Sequence, residues 1–374
     1  MKHWVWLTGE VVTGLLLGAA LSVPTALASS SPNGEAIYQK ACAACHGPRG
    51  RGNPRHAVGF ETPLPDFSDC DFASREPNAD WVAVAHEGGP VRAFSPMMPA
   101  FGEALSVAEL RAAMSHIRTF CADKSWPRGE FNLPRAQVTT KAFPEDEVVW
   151  ETRIPDGETD AVFNDLIYEQ RFGARNQFEI VVPIGWRENT HPMADDQWRS
   201  GLGDIKLGLK RVLYDNMERG AIISGIAEVS LPTGDDADGF GADTAIFEGS
   251  LAYGQILPAN SFFQGQIGVD VPREGDKANE EAYLRLAAGR SFFFDRWGRP
   301  WTPMLELVAS RENAPSADTE WDAVPQLQIM LSKRQHVRLN IGWRMALTND
   351  DIRDDQFLVY LLWDWFDGSL AEGW

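Results

Sequence analysis

Cys42-Ala43-Ala44-Cys45-His46 sets two thiols and an imidazole within a single turn of chain. At this spacing each thiol can form a thioether with a vinyl group of one haem, and the adjacent imidazole can reach the iron. A dithiol redox pair is the competing chemistry, but His46 directly after it and Gly47 beyond favour one covalent haem c. The second axial ligand must come from elsewhere. Phe94–Gly102 carries Met97 and Met98 between Pro96 and Pro99. Prolines on both sides exclude a helix interior, so a stiff loop aiming a thioether at iron explains the pair better than core filling. His/Met ligation fills both axial positions, which suits electron transfer rather than oxygen chemistry. His56, His86 and His116 compete on type alone. His56 lies in a Gly/Pro/Arg-rich loop, His86 ends a short helical run from Trp81, and His116 falls on a helix whose other residues pack. Each reads more simply as a surface residue.

The elements that must hold these groups are helices. Ser106-Val107-Ala108-Glu109 is a capping box, and Leu110, Met114, Ile117 and Phe120 keep helical spacing. With Gly34-Glu35-Ala36-Ile37-Tyr38 before Cys42 and Met98-Pro99-Ala100-Phe101-Gly102 before the capped helix, residues 30–122 resemble a class I c-type cytochrome. The resemblance implies a small all-α domain over 29–122. It assigns Cys42, Cys45, His46 and Met98 to haem, with Met97 as the fallback, and His46 and Met98 to iron. It also implies that the last helix crosses the first at Gly34 and Tyr38.

Lys2 and His3, the apolar run Val11–Val23 and Ala26-Leu27-Ala28 read as a secretory signal over 1–28. An exported chain meets an oxidising compartment, where Cys70 and Cys121, left over after haem attachment, are expected to pair as a disulfide.

The charge is split unevenly along the 374 residues. Residues 29–141 hold 12 Lys+Arg and 12 Asp+Glu, whereas 142–374 hold 21 and 40, the whole net charge of −19. Such acidity excludes a phosphate-backbone partner, so no nucleic acid is expected. Residues 123–144, with Pro127, Gly129, Pro134 and Pro144 and no apolar period, read as a linker. Beyond it the period becomes two. Val337, Leu339, Ile341, Trp343, Met345 and Leu347 alternate with His336, Arg338, Asn340, Gly342, Arg344 and Ala346. About twelve such strands are predicted, near 145–155, 160–172, 175–185, 202–214, 218–231, 242–257, 260–271, 281–293, 300–310, 321–332, 335–347 and 356–366. An even set of roughly ten-residue amphipathic strands in an exported chain predicts an antiparallel transmembrane β-barrel over 145–374. A soluble β-sandwich would have to bury Trp and Phe in every strand. Trp186, Tyr214, Trp297, Trp301, Trp363 and Trp365 fit interfacial girdles. The acidic clusters Asp235, Asp236, Asp238, Asp243 and Asp350, Asp351, Asp354, Asp355 read as solvated loop tips, with a hard-cation site as the alternative.

Gly201–Gly208 and Leu231-Pro232-Thr233-Gly234 resemble outer-membrane barrels grouped with meta-pathway phenol degradation, and Trp374 resembles the terminal aromatic of such barrels. The ordering of the two halves is similar to cytochrome–porin fusions of outer-membrane electron transfer, including iron oxidation. An even strand number puts both barrel ends on the periplasmic side, and twelve strands are too narrow to swallow ninety residues. The haem domain is therefore expected at the periplasmic mouth. The function expected is one-electron transfer at the outer membrane. Its partners would be a periplasmic donor or acceptor protein, outer-membrane lipid, and a small solute or ferrous iron reaching the barrel. A ferrous-iron oxidase role is one version of that reading. The alternatives are a transporter for a small solute, aromatic ones included, with an accessory cytochrome, and a peroxidase, which an occupied Met98 position argues against.

Overall fold

A computed structural model describes residues 31–59, 64–157, 159–188, 198–314, 316–349 and 353–364. The export signal 1–28, Asp350, Asp351, Trp365, Gly368–Gly373 and Trp374 lie outside the described residues. From Asn33 onward the chain forms one unit.

The first part is helical: α1 Gly34–Ala41, α2 Ala43–His46, α3 Arg55–Val58, α4 Cys70–Ala73, α5 Asn78–Glu87 and α6 Val107–Ile117. Asn33 caps α1 by accepting from the Ala36 N–H at 3.0 Å. Ser106 and Glu109 close the capping box of α6 reciprocally, at 2.8 and 3.3 Å. Tyr38, Phe67, Val82, Ala85, Leu110, Met114 and Ile117 form one buried cluster, so α1, α5 and α6 each turn an apolar stripe inward. The crossing of α1 and α6 is tight. A Cβ on Gly34 would collide with the Ala112 carbonyl, so glycine is required there.

Fourteen strands follow: β1 Glu147–Asp156, β2 Ala161–Phe172, β3 Asn176–Glu188, β4 Trp198–Leu202, β5 Lys206–Asn216, β6 Ala221–Ser230, β7 Ile246–Leu257, β8 Ser261–Pro272, β9 Glu281–Arg290, β10 Phe292–Phe293, β11 Pro300–Glu312, β12 Glu320–Met330, β13 Val337–Ala346 and β14 Asp355–Asp364. Two are short extensions, β4 beside β3 and β10 beside β11. The other twelve pair antiparallel, and the β1–β14 and β9–β11 ladders complete a closed ring. Closure removes the edges that an open sheet would expose. Each predicted strand coincides with one stave to within a few residues.

The barrel is apolar outside and polar inside. On β11, Leu305 and Leu307 are 49% and 39% exposed while Glu306 between them is 0% exposed. On β13, Ile341 faces out and Asn340 is buried. A water-soluble sandwich has the opposite arrangement, whereas a barrel in lipid needs this one.

The lumen is filled by chain. Residues 129–146, of which the sequence marks 129–144 as the end of a connector and 145–146 as the start of the first strand, are largely buried within the ring. A short 3-10 turn, Gly129–Phe131, enters first. Phe131, Ala142 and Phe143 pack on Val212, Ile222, Ile226 and Ala252 of β5–β7, and Leu133 packs on Phe262 and Met304. Polar groups tie down the rest. The Arg135 carbonyl accepts from Tyr360 Oη (2.6 Å), Gln328 Nε2 and Asn340 Nδ2 (both 3.3 Å). The Glu145 N–H donates to Gln177 Oε1 at 2.6 Å.

The two barrel ends differ. Turns 173–175, 217–220 and 258–260 are short, while loops 231–245 and 273–280 are longer. The helical domain sits on the short-turn end, where β1 begins and β14 finishes. Arg75 pairs with Asp146, and Glu76 Oε1 lies 3.2 Å from His336 Nε2. Arg92 Nη1 donates to the Trp297 carbonyl at 2.8 Å. Trp297, expected in the lipid girdle, instead faces the helical domain, with its ring 5.3 Å from that of His86. Trp186, Tyr214 and Trp301 are exposed on the outside, as the girdle reading expects.

Candidate haem centre

The Cys42 N–H closes α1 on the Tyr38 carbonyl (2.9 Å), and the His46 N–H donates to the Cys42 carbonyl (2.9 Å). One helical turn therefore carries both thiols and the imidazole. Gly47, at φ 75°, ends that turn in a conformation suited to glycine. The chain then folds back: the Gly52 and Asn53 N–H groups donate to the His46 and Cys45 carbonyls, both at 2.8 Å. Tyr38 Oη, fully buried, donates to the Gly47 carbonyl at 2.6 Å and fixes the loop from beneath.

Cys42 and Cys45 are free thiols rather than a bridge to each other. Burial, reinforced by the neighbouring Cys45, pushes the Cys42 thiol up to about 11. The His46 ring packs on Phe67 at 5.1 Å. Burial lowers its pKa to about 4, so the imidazole is neutral and keeps a lone pair for a metal. Its Nδ1 is buried without a hydrogen-bond partner. A neutral, half-buried imidazole beside two half-buried thiols fits a haem attached through both cysteines.

The methionine loop is pinned at both ends. The Gly89 N–H donates to the Met98 carbonyl (3.0 Å), and the Phe101 and Gly102 N–H groups donate to the Ala85 and His86 carbonyls (2.9 and 3.0 Å). A side chain at Gly89 would strike the Ser95 carbonyl. Met98 packs against the same buried cluster as Cys42, whereas Met97 is 57% exposed. The geometry thus separates two methionines that composition leaves equivalent.

The other histidines are placed differently. His56 is exposed. His86 Nδ1 lies 2.7 Å from Glu87 Oε1. His116 is half-buried: its ring packs between Tyr38 and Phe120, at 5.5 and 5.0 Å. Cys70 and Cys121 are joined by a disulfide with Cα atoms 5.0 Å apart, tying α4 to the chain just beyond α6. Opening that 51-residue loop by Cys70→Ser is expected to cost the helical domain about 2–4 kcal/mol. Thermal melting followed at the haem absorbance checks it, and an unchanged midpoint would rule it out.

Sequence reasoning missed the groups inside the barrel. Arg135 reaches Glu151, Glu147 and Glu169 at 3.0, 3.3 and 3.6 Å, and Lys141 reaches Glu145 and Glu147 at 2.7 and 3.3 Å. Glu145, Glu147 and Asp364 converge closely enough to suggest a metal, but Lys141 and Arg338 (2.7 Å from Asp364) already pair with them. Above the plug, toward the longer loops, lies a vestibule of about 600 Å³. Arg153 and Arg344 line one side and Glu228, Glu248 and Asp270 another, while Gln137 and Val138 of the plug form its floor. The segments 201–208 and 231–234 meet at its rim. Asp204 accepts from the Gly234 and Ala242 N–H groups (2.9 and 2.8 Å), which pins the loop carrying the Asp235–Asp243 cluster. Asp243 there pairs with Lys277 at 2.7 Å, so among the described residues the cluster is a capped loop tip rather than a cation site.

The family described as cytochrome c oxidase, cbb3-type, subunit III matches residues 30–117. The chain therefore contains a c-type cytochrome domain followed by a closed twelve-strand barrel. No curated protein matches the chain. Similar solved structures include an outer membrane channel from Pseudomonas putida F1 (13% identity, 62% of this chain and 99% of that chain, TM-score 0.45). The KdgM porin (10%, 59% and 99%, 0.39) and the NanC porin (6%, 58% and 98%, 0.40) are others.

Proposed function

We propose that the protein is an outer-membrane electron carrier with one haem c, bound covalently through Cys42 and Cys45 and ligated by His46 and Met98. The observation that carries this reading is the neutral, half-buried His46 and the pinned Met98 packing on one helical core, with the thiols of Cys42 and Cys45 beside them. When bound, such a haem supplies a one-electron couple with both axial positions filled, and so a poor centre for oxygen or peroxide chemistry. The chain's own contribution is to hold the imidazole and thioether rigid and to exclude water with Tyr38, Phe67 and Leu110.

Short turns mark the periplasmic end of outer-membrane barrels, and the cytochrome domain rests on that end. We therefore assign the haem to the periplasmic side, facing a soluble donor or acceptor protein. The barrel anchors it in lipid. A single haem cannot carry electrons across an apolar band about 25 Å tall, and the plug lies between the vestibule and the cytochrome. Ferrous iron or another external donor is thus not expected to reduce the haem through the resting lumen.

Proteoliposomes with one orientation test the assignment. A membrane-impermeant reductant added on the cytochrome side should reduce the haem rapidly, and the same reductant on the far side should leave it oxidised. Haem that cannot be cycled from the cytochrome side, or that turns over peroxide instead, would overturn electron transfer.

A further inference from the structure

We propose that the barrel is also a gated channel for small hydrophilic solutes, closed by the plug tip Gln137–Thr140 and latched by Glu306. The inference rests on the lumen alone and is independent of the haem.

Glu306 stands at mid-height on β11 and is fully buried, with no ion pair to a cation among the described residues. Its charge is met by the tip. Oε1 accepts from the Gln137 and Val138 N–H groups at 2.7 and 3.0 Å, and Oε2 accepts from the Thr139 N–H and Oγ1 at 2.8 and 2.7 Å. Gln326 Nε2 completes the set at 2.6 Å. Three successive amides aimed at one carboxylate make an anion-binding concavity, here satisfied from within. Charge-assisted bonds of this kind are the strong ones, so one side chain holds the tip across the lumen.

The plug is built in two halves with different chemistry. Phe131, Leu133 and Phe143 anchor it by apolar contact, mostly against β5–β8. The tip spans to β11–β14, where Gln326 accepts from the Gln137 N–H at 3.1 Å and Val138 packs on Val308, Val324 and Leu358, while Gln328, Asn340 and Tyr360 hold the Arg135 carbonyl just behind it. Amide side chains carry both donors and acceptors, so water can replace the tip without leaving buried groups unpaired. Val138 gives up one apolar contact, with Val308, Val324 and Leu358, when the tip leaves. The tip can therefore leave β11–β14 while the anchor stays, and the vestibule it floors then continues toward the cytochrome end.

The test is conductance of the full-length, haem-loaded protein in planar bilayers with KCl as the probe. Wild type should be closed most of the time. Glu306→Ala should raise open probability at least about tenfold, the scale of losing charged hydrogen bonds. Added formate, which can refill the amide concavity, should restore closure where equal chloride does not. Haem absorbance and heat-shifted gel migration verify folding. Should the alanine variant fail to fold, the isosteric Glu306→Gln is read in its place and should conduct more than wild type. Folded variants no more conductive than wild type, a wild type as open as the variant, or a leak that formate leaves untouched would each overturn the latch.

Discussion

Replacing Met98 with alanine is expected to lower the haem midpoint potential by on the order of 0.2 V, within the span of about 0.8 V that axial ligands control. The thioether favours ferrous iron, and its loss leaves water or a weak ligand at that position. The surrounding loop should stay in place. Its anchors are main-chain bonds from Gly89, Phe101 and Gly102, none of which uses the methionine side chain. The effect should therefore be electronic, with little loss of stability beyond that of a part-buried side chain. Potentiometric titration measures it, together with loss of the methionine–iron charge-transfer band.

Met97→Ala provides the comparison. The Met97 side chain is exposed and its N–H is held by Ser95 Oγ at 3.2 Å, so its removal should leave the potential unchanged. A drop on Met97→Ala with none on Met98→Ala would move the ligand by one residue. No drop with either would hand the position to a histidine, of which His86 is nearest the loop through its contact with Gly102.

The parts of this molecule that could be read in advance are those whose signal is local. The Cys42–His46 spacing, the Ser106/Glu109 capping box and the period-two strands each declare themselves within a dozen residues. On β13, the alternation that places Ile341 outward and Asn340 inward also tells a lipid-facing barrel from a sandwich, because the polar face carries charge. The plug has no such signal. Thr139 and Glu306 meet from 167 residues apart, and Arg135 touches three carboxylates on two strands that in sequence look like ordinary lumen charges. A segment with Pro134 and no period reads as a connector because its order comes wholly from the ring around it. Trp297 was misplaced for a related reason: it is a turn residue whose partner, the helical domain, lies some two hundred residues earlier.

Removing the Arg135 guanidinium by Arg135→Ala is expected to cost the barrel about 3–5 kcal/mol, the scale for breaking a buried ion pair by deleting one partner. Glu151 loses its direct ion-pair partner, whereas Glu147 keeps Lys141 at 3.3 Å and Glu169 keeps Lys210 at 4.0 Å. The penalty therefore falls mainly on one stranded carboxylate, and Arg135→Ala with Glu151→Gln should recover part of it, a coupling that a double-mutant cycle isolates. Arg153→Ala is the contrasting case. That arginine is 46% exposed toward the vestibule, 3.2 Å from Asp165, and such a solvated pair contributes about 0–1 kcal/mol. The temperature at which the barrel loses its heat-modifiable gel migration ranks the three variants. If Arg135→Ala falls no further than Arg153→Ala, water reaches the plug network and the seal is looser than its contacts imply. If it falls much further, the charges at the foot of the plug hold it in the ring, and only the Glu306-latched tip is left free to move.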